Sequence, residues 1–380
     1  MKILYLTGQI KYIGGIEKVL SLKLNYLADK LEEDVFLLTY EQGNNSFVYP
    51  VSSNVKWEDL HLDYNTAIRK KRMFAPSNII KGIRHLFLLR RKIKEIQPDI
   101  IIIPNGGGYD YFFLPFICKY IPKIREIHSS LYRRNNKKKS VKMKLRENIE
   151  RFFESKYTCV VALNDDEKSL ISNSSVEVIP NPVPFIVQRG NVSLQSNKFM
   201  AAGRLCYVKG YDTLIKVWKE VINFDPNLEL HIYGSGEAEY IGYLQYLIDH
   251  LSLSNNVKLL GSVSDLAQRM EHYSAFICSS HTECFPMVLL EAFSVGLPVI
   301  SFDCPFGPRH IITHGRNGFL VPDQDSINLL NTIIQYAKLD GEIKKQFSEE
   351  ASNRAKDFQI ENVMNKWIIL FKKLIYNESA

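Results

Sequence analysis

Apolar and polar residues follow two alternating rhythms along this chain. MKILYLTG (1–8) opens with an aliphatic run of strand length, IGGIEKVLSLKLNYLADKL (13–31) repeats its apolar residues at helical spacing, and DVFLLTY (34–40) is again strand-like. IIKGIRHLFLLRRKIKEI (79–96) predicts an amphipathic helix, and PDIIIIPN (98–105), KIREIHSS (123–130) and YTCVVALN (157–164) predict strands. After VIPNPVPF (178–185), with three prolines in eight residues, the alternation restarts. KFMAAGRL, LELHIYGSG, VKLLG, YSAFICSS and LPVISFD read as strands. GYDTLIKVWKEVI, EAEYIGYLQYLIDHL and SDLAQRMEHY read as the helices between them. Alternation of this kind predicts an α/β chain of two Rossmann-like, doubly wound domains joined by a proline-rich linker. FQIENVMNKWIILFKKLI (358–375) is a helix left over once the second sheet is complete.

Length agrees with that division, since 380 residues exceed one ordinary domain at roughly 150 residues each. With 46% hydrophobic and 23% charged residues the composition is that of a globular protein. No run approaches the ~18 apolar residues of a membrane span, and the first residues lack a signal-peptide apolar region, so a cytoplasmic location is expected. Six cysteines without Cys-x-x-Cys spacing indicate neither a disulfide framework nor a zinc site. Charge is uneven: residues 1–190 hold 31 Lys+Arg against 20 Asp+Glu, and residues 191–380 hold 17 against 21. The first half therefore faces something anionic or carries a solvated basic surface. Its lysines cluster without interleaved aromatics, which argues against a nucleic-acid partner.

Chemistry concentrates in the loops after the strands. In HTECFPMVLLEAFSVGLPVI (281–300) Glu283 and Glu291 bracket an apolar run. Pro286 suits the first turn of a helix and Gly296 the left-handed position past its end. Glu283 then lies on a strand-end loop, and Glu291 about 7.5 Å along the helix from Pro286 at ~1.5 Å per residue. The free N–H groups of Met287 and Val288 between them form an anion site, and hydrogen-bond donors on either side of a diphosphate would occupy the carboxylates. A nucleotide sugar has that pattern; helix capping and dipole complementarity are the plainer roles for the same pair. GRLCYVKG places Arg204 and Lys209 five apart, suited to converge on one diphosphate. Gly14-Gly15 ahead of a helix carrying Glu17, and Gly234 in YGSG, permit close backbone approach to a ligand. The Gly-x-Gly-x-x-Gly dinucleotide pattern is absent from the first loop.

GGIEK, the strand ending at His128, the NPV linker, GRL-x3-KG, YGSG, Glu-x7-Glu, GLPVI and NGFLVP together resemble the family-4 retaining glycosyltransferases of the GT-B fold, over nearly the whole chain. The resemblance implies an N-terminal acceptor domain (1–184, with the crossover helix 358–380) and a C-terminal nucleotide-sugar domain (185–357). It implies that Arg204 and Lys209 stabilise the leaving diphosphate, that Glu283 meets the donor sugar and Glu291 the ribose, and that His128 lies beside donor sugar and acceptor. Gly15, Gly234 and the backbone of Phe285, Pro286, Met287 and Val288 would border the donor. The implied reaction moves a sugar from a nucleoside-diphosphate sugar, UDP favoured, to a saccharide acceptor, lipid-linked through polyprenyl diphosphate, in cell-surface polysaccharide synthesis. Transfer would proceed with retention, a departing phosphate oxygen taking the acceptor proton, and with neither metal nor cofactor. Two positions depart from the pattern: Cys284 stands where the family usually has glycine, and His310 in GPRHII where many relatives have glutamate. Asp323-Gln-Asp325 matches the Asp-x-Asp of metal-dependent transferases, but its place after NGFLVP sets it outside the expected site, with Asp325 suited to cap the next helix. A nucleotide-sugar epimerase shares the scaffold, and a non-catalytic nucleic-acid or anion-binding protein is the remaining alternative. RRNNKKKSVKMKLRE (133–147) carries eight cations and one acid, and Lys70 to Arg72 adds three cations. Read as a basic loop without an apolar anchor, 133–147 predicts reversible peripheral contact with an anionic membrane at the inner face of the cell.

Overall fold

The computed structural model describes residues 1–62, 64, 76–104, 108–135, 140–183 and 192–376. The chain divides into two compact units, Met1–Pro180 with Ile360–Ala380, and Asn181–Gln359. The expected boundary at 184/185 falls outside the described residues. The observed breaks lie at 180/181 and 359/360, close to where the Val183 N–H donates to the Phe358 carbonyl (2.8 Å).

The first unit holds strands β1 (Lys2–Leu6), β2 (Asp34–Thr39), β3 (Lys56–Asp59), β4 (Ile100–Ile103), β5 (Lys123–Glu126), β6 (Cys159–Ala162) and β7 (Val176–Val178). Their order is β3-β2-β1-β4-β5-β6-β7, every neighbouring pair parallel. The second unit holds β8 (Lys198–Ala202), β9 (Glu229–Tyr233), β10 (Val257–Leu259), β11 (Ala275–Cys278), β12 (Val299–Phe302) and β13 (Gly318–Val321), ordered β10-β9-β8-β11-β12-β13 and again parallel throughout. A parallel sheet is covered on both faces, so its central strands are apolar on both sides; all four isoleucines of β4 are buried. The strand order reverses between β1 and β4 and between β8 and β11. Such a switch point opens a crevice at the carboxyl ends of the strands.

Among the helices, Met287–Ser294 begins with Pro286 as its N-cap, one position earlier than the first-turn placement read from the sequence. It ends as expected: Gly296 has φ +79°, its N–H donates to the Phe293 carbonyl (3.0 Å), and the Leu297 N–H donates to that of Ala292 (2.8 Å), which is a Schellman motif. The terminal helix Ile360–Tyr376 returns to the first unit and sets Val363, Met364, Trp367, Leu370 and Phe371 into a core with Ile3, Tyr5, Leu20 and Leu24. Residues 133–147 are not one loop. A 3-10 turn spans Tyr132–Asn135, and a helix runs over Val141–Glu154, capped by Ser140, whose Oγ accepts from the Met143 N–H (3.3 Å). Lys137, Lys138, Lys139 and the Lys70–Arg72 cations lie outside the described residues.

Candidate active site

In the second unit the loops after β8, β9 and β11 are stitched to one another, and their glycines show why. Gly210 has φ +63°, and a Cβ there would lie 2.1 Å from the Ser279 carbonyl oxygen. Ser279 Oγ donates to the Lys209 carbonyl (2.9 Å) and the His281 N–H to that of Val208 (2.8 Å). On the other side the Leu205 N–H donates to the Ser235 carbonyl (2.7 Å), and a Cβ on Gly234 would lie 1.9 Å from the Gly203 oxygen. Gly234, read from the sequence as room for a ligand, is already required by this backbone approach within the protein.

Packing these loops sets Lys209 against Glu283, Nζ to Oε1 2.6 Å, and Ser280 Oγ donates to the same oxygen (2.7 Å). Burial alone would lower the Lys209 pKa, but the adjacent Glu283 carboxylate outweighs it and the pKa is raised. The cation is therefore fixed, and the carboxylate that would otherwise repel a diphosphate is already compensated. Arg204 is exposed and makes no ion pair among the described residues. Ser280 carried no signal in the sequence, because its role depends on the loop folding back on itself.

The helix Met287–Ser294 starts directly beyond. Its first intrahelical bond is Leu289 N–H to the Pro286 carbonyl (3.1 Å), which leaves the N–H groups of Met287 and Val288 ahead of the ladder. Phe285 and Met287 are buried, and Glu291 is only 7% exposed. The Phe285 carbonyl accepts a long bond from Asn181 Nδ2 (3.4 Å), so the NPV segment braces this loop. Gly307 of the GPRH turn packs under it: a Cβ there would lie 2.9 Å from that of Glu283. The Glu283 N–H donates to the Pro305 carbonyl (2.9 Å), and the Phe306 N–H returns a bond to the Glu283 carbonyl (2.9 Å). Asp325 caps the helix Ser326–Ala337, accepting from the Asn328 N–H (3.0 Å). The Asp-x-Asp segment is not remote, because Gln324 Nε2 reaches the Ser280 carbonyl (3.4 Å), three residues from Glu283. Nearby, the exposed Tyr207 ring stacks on His281 with centroids 4.9 Å apart.

His128 and Gly15 belong to the first unit. Gly15 opens the helix Gly15–Asn25, with Gly14 as an extended N-cap, and Glu17 lies in its first turn as read from the sequence. Burial raises the Glu17 pKa, partly offset by a hydrogen bond from its own backbone N–H and by the proximity of His128. His128 follows β5, and Nε2 lies 3.0 Å from Glu126 Oε2. The other Glu126 oxygen lies 2.6 Å from Lys23 Nζ. Neither Glu126 nor Lys23 was a candidate from the sequence, since each sits in an element with other charged residues and its partner is 103 positions away in the chain.

Residues 184–354 match the family described as glycosyl transferases group 1, and residues 13–185 match Glycosyltransferase Family 4. A glycosyltransferase of Haemophilus influenzae is 27% identical, covering 96% of this chain and 98% of its own. The amylovoran biosynthesis glycosyltransferase AmsD of Erwinia amylovora is 25% identical over the same shares. Among solved structures, TarM of S. aureus in complex with fondaparinux, alpha-GlcNAc-glycerol and UDP superposes with a TM-score of 0.77 at 15% identity, covering 97% of this chain and 99% of that one. That likeness is one of fold.

Proposed function

The chain belongs to glycosyltransferase family 4, with the GT-B architecture, and from that membership we propose that it moves a sugar from a UDP-sugar to a saccharide acceptor in cell-surface polysaccharide synthesis. The observation that carries the reading is the Lys209–Glu283 contact placed just before the free end of the helix Met287–Ser294. Cleavage of the glycosyl bond puts new charge on the leaving diphosphate, and a fixed cation with two oriented N–H groups meets that charge without reorganising. Arg204 adds a bidentate donor on the same loop as Lys209. Glu291, beyond the first turn, accepts from the ribose hydroxyls, and Glu283 accepts from the sugar. These charges serve the leaving group without a metal ion, and a phosphate oxygen leaving on the face the acceptor approaches gives retention. The UDP in the TarM complex and the amylovoran biosynthesis named for AmsD support the donor class and the product class.

The acceptor on this reading is lipid-linked, and the first unit docks peripherally on an anionic bilayer. The helix Val141–Glu154 supports this because it exposes a line of apolar side chains among its cations. Glu154 is fully buried and held by Arg125 and Arg134, while Val141 is 84% and Leu145 60% exposed. No helix among the described residues is long and apolar enough to cross a membrane.

The test is release of UDP from UDP-glucose or UDP-N-acetylglucosamine, with and without a polyprenyl-diphosphate-linked saccharide. Release should require the acceptor, persist in chelator, and fall roughly 10²-fold or more in Arg204→Ala. An epimerase would convert the nucleotide sugar with no acceptor. That result, or full turnover in Arg204→Ala, overturns the reading.

A further inference from the structure

Beneath His128 lies a pair of charges that the proposed chemistry does not use. Glu126 and Lys23 are 3% and 1% exposed, and they meet at 2.6 Å. Lys23 Nζ also stands 3.5 Å from the centre of the Trp367 ring and 5.4 Å from that of Tyr5, so it is enclosed by the terminal helix and by β1. Removing two charges from water costs several kcal/mol per ion, and apolar residues of similar size usually stabilise a core as well or better. Stability alone therefore gives a poor account of the pair. Its geometry gives a better one. Burial alone would raise the Glu126 pKa, but Lys23 and His128 outweigh it and hold the carboxyl at about 2. An ionised carboxylate only accepts hydrogen bonds, so at the 3.0 Å contact His128 Nε2 must donate. Once Nε2 carries the hydrogen, the neutral ring has its lone pair on Nδ1, which has no hydrogen-bond partner among the described residues.

We propose that Glu126, anchored by Lys23, is a positioning residue that fixes the His128 tautomer and orients the ring so that Nδ1 accepts a hydrogen bond from a saccharide hydroxyl. The proposal rests on the reading that His128 faces a sugar, and it adds the polarity of that contact: the ring receives a hydrogen and the hydroxyl gives one. Glu17, on the helix Gly15–Asn25, is the other titratable group within electrostatic reach of His128.

Nitrogen NMR of the full chain labelled in histidine, at pH 8 where an ordinary imidazole is neutral, reads the tautomer directly. The His128 resonance is assigned by its loss in His128→Ala. The parent should show a protonated Nε2 and a bare Nδ1, and Glu126→Gln should reverse or mix the two. A parent with Nδ1 protonated, or a tautomer unchanged in Glu126→Gln, overturns the proposal. Because Glu126→Gln strands the Lys23 charge, the same measurement on Lys23→Met/Glu126→Gln gives a second chance to see the tautomer in a folded chain. Turnover of UDP-glucose or UDP-N-acetylglucosamine supplies the functional arm. Glu126→Gln should lower kcat about 10- to 100-fold, the range for removing an outer group that orients a histidine, with the donor KM unchanged. In the His128→Ala background it should add no further loss. Losses that multiply mark Glu126 as merely structural. Parent-like turnover in His128→Ala shows instead that His128 meets no sugar, a failure distinct from a wrong tautomer.

Discussion

At the scale of single residues, the two glutamates of the Glu-x7-Glu segment are distinguished by what surrounds them. Glu283 is tied to Lys209 and Ser280 at the mouth of the strand-end loop, whereas Glu291 is buried beyond the first helical turn. Free UDP carries a ribose but no donor sugar, so the two substitutions should separate by calorimetry. Glu291→Ala should weaken UDP binding by ~1.5–3 kcal/mol, the scale of hydrogen bonds to a charged group. Glu283→Ala should leave UDP affinity within about 1 kcal/mol of the parent, since it also releases Lys209 to the diphosphate. Equal UDP affinity in the parent and in Glu291→Ala would remove the ribose assignment.

At the scale of elements, the helix Val141–Glu154 leaves a line of apolar side chains exposed. Of its charged residues only Glu154 is buried, paired with Arg125 and Arg134, while Val141, Leu145, Ile149 and Phe152 are exposed together with Lys142, Lys144 and Arg146. The helix Pro76–Ile96, packed on the same sheet face, exposes Ile80, Ile83 and Phe87 together with Arg84, Arg90 and Arg91. Apolar stripes edged by cations are the form of a helix lying in a membrane interface. Such a face would give the proposed membrane contact the apolar anchor that the basic-loop reading lacked. Binding to vesicles containing anionic lipid should keep a salt-resistant fraction, and Val141→Gln/Leu145→Gln/Ile149→Gln should lose that fraction while keeping the salt-sensitive one. If the triple variant binds like the parent in high salt, the outward face of this helix is not an anchor.

At the scale of the whole molecule, the first unit is discontinuous, completed only by residues from Ile360 onward. Trp367 is 2% exposed and lies over Lys23, so Trp367→Ala should cost that unit about 3–5 kcal/mol, the range for truncating a buried aromatic. The second unit contributes no residue to that core and should be spared. Thermal unfolding with hydrogen exchange resolved by peptide would check this, showing lost protection in β1 and Gly15–Asn25 while β8 and β11 stay protected. Uniform loss across both units would contradict the independence of the two cores.

Local pattern was enough to determine the strands at the centre of each sheet, the Met287–Ser294 helix with its Gly296 stop, and the strand-end loops that carry Lys209 and Glu283. Each depends on residues close together in the chain, whose spacing and backbone preferences act before any long-range contact forms. Edge strands such as Lys56–Asp59 escaped because an edge needs little apolar character. The helix Val141–Glu154 escaped because its cations, continuous with the basic run before it, mask the apolar period. Which oxygen of Glu283 meets Lys209, how Gln324 comes beside Ser280, and that Glu126 joins Lys23 to His128 were decided only by the tertiary structure. The reason is that burial makes an unpaired charge costly, and the partner that relieves it is chosen by the fold from residues as far apart as 103 positions.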